Sequence, residues 1–310
     1  MTEAHGASRD FDSLDDVTTR LADVGHLVDT RARVAVLLAA KLERPLLVEG
    51  PAGTGKTSLA LAMAAAQGRT VIRLQCYEGL DESRALSEWA YAKQLLFTQI
   101  VRDRIAALTD GAATIDDALA RVEGEARAFY SERFLLERPL LRALKSERPA
   151  LLLLDEIDKA DPEFEAFLLE MLAERQVTIP ELGTIRATNW PQVVLTSNRA
   201  RELSDPLRRR CLHVTLAFPD EERERAIVRA HLPDIDDRLL AAVVRAVAKI
   251  RTLDLRKVPS IGETVDWARA LVTLARGVVD ERTLDETLGA LVKHEEDARI
   301  VRERAREVVR

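Results

Sequence analysis

Aromatic residues are scarce in this chain of 310 residues, at 4% of the total, and cysteine is scarcer still, represented by Cys76 and Cys211 alone. Two cysteines far apart have no metal-ligand spacing and build no disulfide framework, so both read as free thiols of a reducing compartment. Long apolar runs are missing too: nothing approaches the roughly 18 uninterrupted apolar residues of a membrane span. The opening stretch MTEAHGASRDFDSLDD is polar and acidic, without the apolar segment of a leader. A cytoplasmic location with no membrane association is therefore expected. Excess positive charge is also absent, since the net charge is −6 and Lys and Arg are interspersed with Asp and Glu. Without a basic block, nucleic acid is not expected as the main partner.

What the chain has instead is 47% apolar and 32% charged residues, the composition of a helix-rich globular protein long enough for two domains. Residues 1–17 read as a flexible tail, and Leu21 to Leu42 as a helix with apolar Val24, Leu27, Val28, Val34, Leu37 and Leu38. LLVEG (46–50) enters a Gly-rich turn, and a helix from Lys56 to Gln67 closes at Gly68. Four more strands are read at TVIRLQC (70–76), LLLLDEID (151–158), PQVVLTSN (191–198) and CLHVTLAF (211–218). The unbroken apolar run before Asp155 suits a strand buried on both faces of a parallel sheet. Between 77 and 146 the pattern is mostly helical and charged, with TDGAATIDD as a loop or inserted element. QVTIPELGTIRAT (176–188) reads as a hairpin, and Asp161-Pro162 starts a core-facing helix. From Pro219-Asp220 onward only helical patterning remains, ending in a charged helix over 281–310 that is expected to fray beyond Ala305. The expected fold is α/β: a three-layer αβα core with a parallel five-stranded sheet over 18–219, followed by a small all-helical domain over 220–310.

The chemistry concentrates in a few places. Gly50, Gly55, Lys56 and Thr57 fill the pattern G-x-x-x-x-G-K-[ST], and the whole loop runs Gly50, Pro51, Ala52, Gly53, Thr54, Gly55, Lys56, Thr57, Ser58. Glycines let backbone N–H groups wrap phosphate oxygens, the helix start adds a favourable dipole, and the lysine neutralises β and γ charge. The Thr57 hydroxyl is placed to ligate Mg²⁺. Asp155 and Glu156 end a buried strand, at the edge where open α/β sheets bind ligands. Asp155 is expected to hold Mg²⁺ through its water shell and Glu156 to polarise the water attacking the γ-phosphate. Asp158 and Asp161 read as helix caps. Asn198, after the next strand, is either a turn former or an orienter of that water. Arg208, Arg209 and Arg210 are either a solvated helix face or the source of an arginine projected into a neighbouring subunit's site.

Taken together, the phosphate loop, LLLLDEID, the hairpin, TSN and PLRRRC resemble AAA+ ATPases of the MoxR type, over nearly the whole chain. Within that family RLQCYEGLD (73–81), EWAYAKQLL (88–96), FLLERPLL (134–141) and TIPELGTIRA (178–187) look like the CoxD-like branch. The resemblance implies a P-loop AAA+ core with a helical lid, ATP and Mg²⁺ as ligands, and a homo-oligomeric, hexameric ring with nucleotide between subunits. It implies Asn198 as sensor 1 and Arg210 as the arginine finger, with Arg208 the second candidate. It also implies inserts around Tyr77 to Ala92 and at the hairpin, facing partners. Family members act as chaperone-like remodelling ATPases beside a von Willebrand factor A domain protein, and the CoxD-like branch is linked to maturation of molybdenum-containing carbon monoxide dehydrogenase. The client itself is not legible in the residues. One departure stands out: in KVPSIGETVDWARA (257–270) Gly262 occupies the place where many such lids carry a sensor-2 arginine. Ser260 with Glu263 reads there as a capping box, and Arg256 or Lys257 is left as the substitute cation.

Two other functions share this core. A nucleic-acid motor or loader is disfavoured by the acidic balance and the lack of stacking aromatics, and a low-turnover nucleotide switch by the presence of Glu156, Asn198 and the arginine run. No N-K-x-D signature follows a strand, which favours ATP over GTP.

Overall fold

The computed structural model of the protein describes residues 10–100, 102, 114, 131–180 and 182–310. Residues 1–9 of the expected tail and all of TDGAATIDD except Thr114 lie outside the described residues. Nine described strands are β1 Leu46–Glu49, β2 Thr70–Gln75, β3 Ser87–Trp89, β4 Leu135–Glu137, β5 Ala150–Asp155, β6 Gln176–Ile179, β7 Gly183–Arg186, β8 Gln192–Ser197 and β9 Leu212–Thr215. Five form the expected parallel sheet, in the order β2-β5-β8-β1-β9. Every residue of β1 and β5 is buried, whereas β2 at the edge is mostly exposed. That is why LLVE and ALLLLD read as unbroken apolar runs while β2 alternates at its end. The chain divides into two compact units, one of Met1–Gly68, Val194–Ala200 and Cys211–Arg310, the other of Arg69–Val193 and Arg201–Arg210.

In the first unit β1 pairs with β8, Glu49 opposite Ser197, and with β9, Glu49 opposite Thr215. The helices α1 Leu14–Asp23, α2 Thr30–Lys41 and α3 Lys56–Gln67 belong here. Order begins earlier than the expected tail boundary: Ser13 caps α1 by accepting the Asp16 N–H at 3.1 Å, and Phe11 is buried under the Arg20 guanidinium. The single helix expected over Leu21 to Leu42 is two helices, parted at Gly25 in a left-handed conformation and restarted by Asp29, which caps Ala32 at 2.7 Å. Apolar spacing alone runs straight across that turn.

The same unit carries α9 Glu221–His231, α10 Asp237–Ile250, α11 Ile261–Thr273, α12 Glu281–Leu291, α13 Glu295–Glu303 and α14 Ala305–Val309. The expected final helix over 281–310 is therefore three, and Val308 of the last turn is buried in the core. This helical region has its own apolar core around Val243, Val247, Leu271, Leu288 and Trp267. The Trp267 indole N–H donates to Thr287 Oγ1 at 2.7 Å, and that hydroxyl donates onward to the Thr283 carbonyl at 2.6 Å. A buried bidentate pair joins Arg251 to Glu224 at 2.6 and 2.9 Å. Thr264 also donates to Glu224, and the Arg251 guanidinium lies 4.4 Å from the Phe218 ring, so α9, α10 and α11 meet on one satisfied charge pair.

The second unit contains α4 Glu82–Leu86, α5 Tyr91–Ile100, α6 Pro139–Leu144, α7 Pro162–Glu174 and α8 Asp205–Arg210. The hairpin read from the sequence is present as β6 and β7, Gln176 opposite Arg186. A second antiparallel pair, β3 with β4, leaves no mark in the sequence pattern. Its strands have three residues each and lie far apart in the chain, too short for a period of two to register. Among the described residues no helix is long and apolar enough to cross a membrane.

Trp267 is fully buried and hydrogen-bonded. Trp267→Ala is expected to destabilise the protein by about 3–5 kcal/mol, measured as a shift of the urea unfolding midpoint.

Candidate functional site

The phosphate-loop residues lie in the first unit, between β1 and α3. Gly50, Gly53 and Gly55 all have positive φ, at 150°, 82° and 88°. At two of them glycine is also needed for space. A Cβ on Gly50 would lie 2.1 Å from the Leu216 carbonyl oxygen, and one on Gly53 would lie 2.4 Å from Ser260 Cβ. The loop's backbone thus packs directly on the chain that follows β9 and on the start of α11. Lys56 opens α3, almost fully buried, and its ammonium donates to the Gly50 and Pro51 carbonyls at 2.8 and 2.7 Å. Thr54 Oγ1 donates to Pro51 O at 2.9 Å, and Thr57 and Ser58 follow Lys56 on the first turn of α3. The first turn of a helix, a buried lysine and a run of backbone N–H groups together make an anion cradle.

Asn198 directly follows β8 in this unit. The Gly50 N–H donates to the Ser197 carbonyl at 3.2 Å, so Asn198 stands one residue beyond the point where the loop is tied to its neighbouring strand. Below the loop, Glu49 is a buried carboxylate shared by His213 Nε2 at 2.7 Å and Arg199 Nε at 3.2 Å.

A cavity of about 570 Å³ opens beside the loop, walled by Gly53 to Gly55, the segment Val24 to Asp29, Pro219, and Ile261 and Val265 of α11. Its lining is mainly apolar with a few polar groups, the usual make-up of a small-molecule site. Ser58 Oγ and His26 Nδ1 share a hydrogen bond of 3.3 Å on one wall. Burial, and after it the charge of Arg223 and the neighbouring His231, push His26 down to about 4, so its imidazole is neutral at pH 7. Arg223 of α9 pairs with Asp29 at 3.1 Å and donates to the Leu27 carbonyl at 3.0 Å.

The expected capping box is present at the start of α11: Ser260 Oγ accepts the Glu263 N–H at 3.1 Å, and Glu263 accepts the Ser260 N–H at 2.7 Å. Ile261 N–H donates to Gly53 O at 3.2 Å. Gly262 lines the cavity without a side chain. Of the two candidate substitute cations, Lys257 holds its ammonium 3.4 Å from the Glu263 carboxylate. The backbone N–H groups of Arg256 and Lys257 donate to the Asp297 carboxylate, which ties this stretch to α13.

Asp155 and Glu156 lie in the second unit, where β2 pairs with β5 and Gln75 stands opposite Asp155. Asp155 is buried and forms an ion pair with Arg73. Arg73 also donates to Gln75 Oε1 at 2.8 Å, and Gln75 Nε2 donates to Glu156 Oε2 at 2.9 Å. Glu156 adopts a left-handed backbone, φ 58° and ψ 48°, uncommon for a residue with a side chain. Its carboxylate also binds Lys159 at 2.6 Å, an interaction that raises the lysine above its ordinary range. Sequence reasoning does not single out Arg73 and Gln75; their signal is two polar residues on the face of a strand pairing with LLLLDE. Burial, and after it the carboxylates of Asp155, Asp158 and Glu156, push the Cys76 thiol up to about 12.

One expected cap is corrected: Asp158 is buried within the 3₁₀ turn Ile157–Lys159 instead of preceding a helix. Asp161 stands at the N-cap of α7 before Pro162, as expected, although its carboxylate accepts the Gly79 N–H at 3.2 Å instead of a cap bond. The arginine run occupies α8, also in the second unit: Leu207 is buried, Arg208 half-buried, and Arg209 and Arg210 exposed.

Comparison with known proteins matches a family model described as an AAA ATPase domain to residues 29–184, half of the chain. The gas vesicle ATPase GvpN of Haloferax mediterranei is 26% identical over 255 residues, covering 79% of this chain and 65% of that protein. GvpN2 of Halobacterium salinarum is 25% identical over 221 residues, 68% of this chain and 57% of that protein. The chain thus spans less than two thirds of the length of these curated relatives. A solved structure of a RuvB mutant from Thermotoga maritima aligns with a TM-score of 0.46 at 19% identity, covering 93% of this chain and 73% of that one.

Gly53→Ala combines a strained φ with a clash against Ser260; it is expected to destabilise the fold by more than about 1 kcal/mol, read by thermal unfolding. His26 has its folded pKa below the unfolded value of 6.5. The unfolded chain therefore binds the extra proton first, and stability is full above pH 6.5 and falls as pH drops toward 4. That contribution has a slope approaching about 1 kcal/mol per pH unit, and it should vanish in His26→Gln when unfolding free energy is followed across that window.

Proposed function

The chain belongs to the AAA ATPase domain family, and on that premise we propose that it hydrolyses ATP in a ring of identical subunits and uses the energy to remodel a partner protein. The observation that carries this reading is the anion cradle of Gly50 to Lys56 opening directly into a 570 Å³ cavity. The loop takes the phosphates, with Lys56 turning from the Gly50 and Pro51 carbonyls to the β and γ oxygens, and the cavity takes the nucleoside. A hydroxyl from Thr57 and a carboxylate from Asp155 are the hard oxygen donors that Mg²⁺ accepts alongside phosphate and water. When bound, the ion neutralises phosphate charge as it builds. Glu156 is the base that takes a proton from the attacking water, held by Gln75 and Lys159, and Asn198 orients that water. One of Arg208 to Arg210, Arg210 first and Arg208 second, acts on the neighbouring subunit's nucleotide. In this reading residues 18–219 are the ATPase domain and 220–310 its lid.

The finer assignment is to the MoxR type, supported by the likeness to the gas vesicle ATPases, and to its CoxD-like branch, supported by the sequence phrases around RLQCYEGLD and TIPELGTIRA. A hexameric ring, a partner with a von Willebrand factor A domain, and a client resembling molybdenum-containing carbon monoxide dehydrogenase go with that branch.

Lys56→Ala is expected to lose ATP binding. Glu156→Gln should bind ATP with turnover lowered by about 10²-fold or more. Arg210→Ala should retain binding while turnover falls by about 10³-fold. Fluorescent-nucleotide titration and phosphate release read these effects, and normal turnover in Glu156→Gln would overturn the hydrolytic assignment.

A further inference from the structure

Within the second unit a buried carboxylate lies under the arginine helix. Glu165, on α7, is 1% exposed, a place where a charge is costly unless fully paired. Its Oε2 accepts the Ser204 N–H at 2.9 Å, and its Oε1 lies 2.5 Å from Arg201 Nη2 in an ion pair without hydrogen-bond alignment. The same Arg201 nitrogen donates to the Ala160 carbonyl at 2.6 Å, and Nη1 donates to Glu202 O at 3.0 Å. Ser204 in turn supplies the carbonyl that accepts the Arg208 N–H at 3.0 Å, closing the first turn of α8. Leu203 and Leu207 bury the flanks of this joint.

Two ends of the chain's chemistry meet at this pair. Ala160 closes the 3₁₀ turn that begins immediately after Glu156, and Ser204 immediately precedes the helix that carries Arg208 to Arg210. We propose that Glu165 and Arg201 are positioning residues that fix the arginine helix onto the turn after Asp155 and Glu156. The arginine a subunit gives its neighbour is thereby set by its own acidic turn. This rests on the reading above, in which an arginine of α8 acts across the ring. Packing alone does not call for charge here, since a buried ion pair is commonly replaced by apolar residues of similar size without loss of stability. What an apolar pair lacks is a grip on backbone: Glu165 holds an N–H and Arg201 two carbonyls, which fixes the helix against sliding and rotation.

Mixed rings of the full chain test this. Arg210→Ala subunits keep an intact ATP site but give no arginine; Glu156→Gln subunits bind ATP, hydrolyse it about 10²-fold or more slower, and still give their arginine. Mixing the two is expected to restore phosphate release well above either parent. Failure of that control would overturn the cross-ring reading itself, and the present proposal with it. With the control restored, Glu165→Gln is added to the Glu156→Gln donor, and the residual turnover of that donor alone is subtracted. Recovered turnover should then fall by about 10- to 100-fold, with nucleotide affinity and oligomer size unchanged. Recovery equal to the control would overturn the proposal, and so would a loss accompanied by a loss of oligomer, which assigns the pair to structure alone. If Glu165→Gln does not fold, the doubly apolar Glu165→Met/Arg201→Met donor replaces it, with the same loss expected and full recovery overturning.

Discussion

The constraint on which the cavity depends is the absence of room at Gly53. The loop backbone there touches Ser260, and its carbonyl accepts the N–H of Ile261, so the phosphate loop and the first turn of α11 share one surface without a side chain between them. The position of the cavity follows from this contact, because the loop forms its floor and α11 one wall. So does the use of Ser260 and Glu263: the capping box satisfies the Ser260 and Glu263 N–H groups, and the loop carbonyl takes that of Ile261 between them. A side chain at residue 53 would push floor and wall apart.

Buried glutamates mark the joints elsewhere. Glu49 beside the phosphate loop, Glu165 under the arginine helix and Glu224 in the C-terminal helical region are each almost wholly buried and each paired with an arginine: Arg199, Arg201 and Arg251. Planar guanidinium groups suit this work because several donors leave one rigid centre, so one side chain satisfies a carboxylate and a backbone carbonyl together. Arg251 does so, reaching the Glu224 carboxylate and Pro259 O, while Arg201 donates to Ala160 O and meets Glu165 by charge alone. The neutral joint at Trp267, Thr287 and Thr283 is hydrogen-bonded without charge.

Much of the fold was legible because the central strands β1, β5 and β8 of the main sheet are almost wholly buried and carry apolar runs, LLV, ALLLL and VVL. The phosphate loop was legible because its chemistry needs particular residues at fixed spacing. Boundaries between helices were less so. Gly25 and Asp29 interrupt a run whose apolar residues keep helical spacing on both sides, and 281–310 breaks twice where charged residues disguise the caps. Non-local partners were not legible at all. Nothing in the sequence ties Ser87–Trp89 to Leu135–Glu137, Glu165 to Ser204, or His26 to Ser58, since each pairing exists only once the chain has folded back over tens of residues. Gln75 stands between these cases: its polarity on a strand was visible, its grip on Glu156 was not.

The wall of the cavity formed by residues 24–29 is held to α9 mainly through Arg223, whose ion pair with Asp29 leaves both side chains about a third exposed, at 31% and 38%. A pair with both members open to water is weak and screened by dissolved ions, unlike the pairs whose carboxylates are almost wholly buried at the other joints. The wall is thus fastened by the most salt-sensitive of these contacts. Raising ionic strength would loosen that wall first, speeding the entry and escape of whatever the cavity holds.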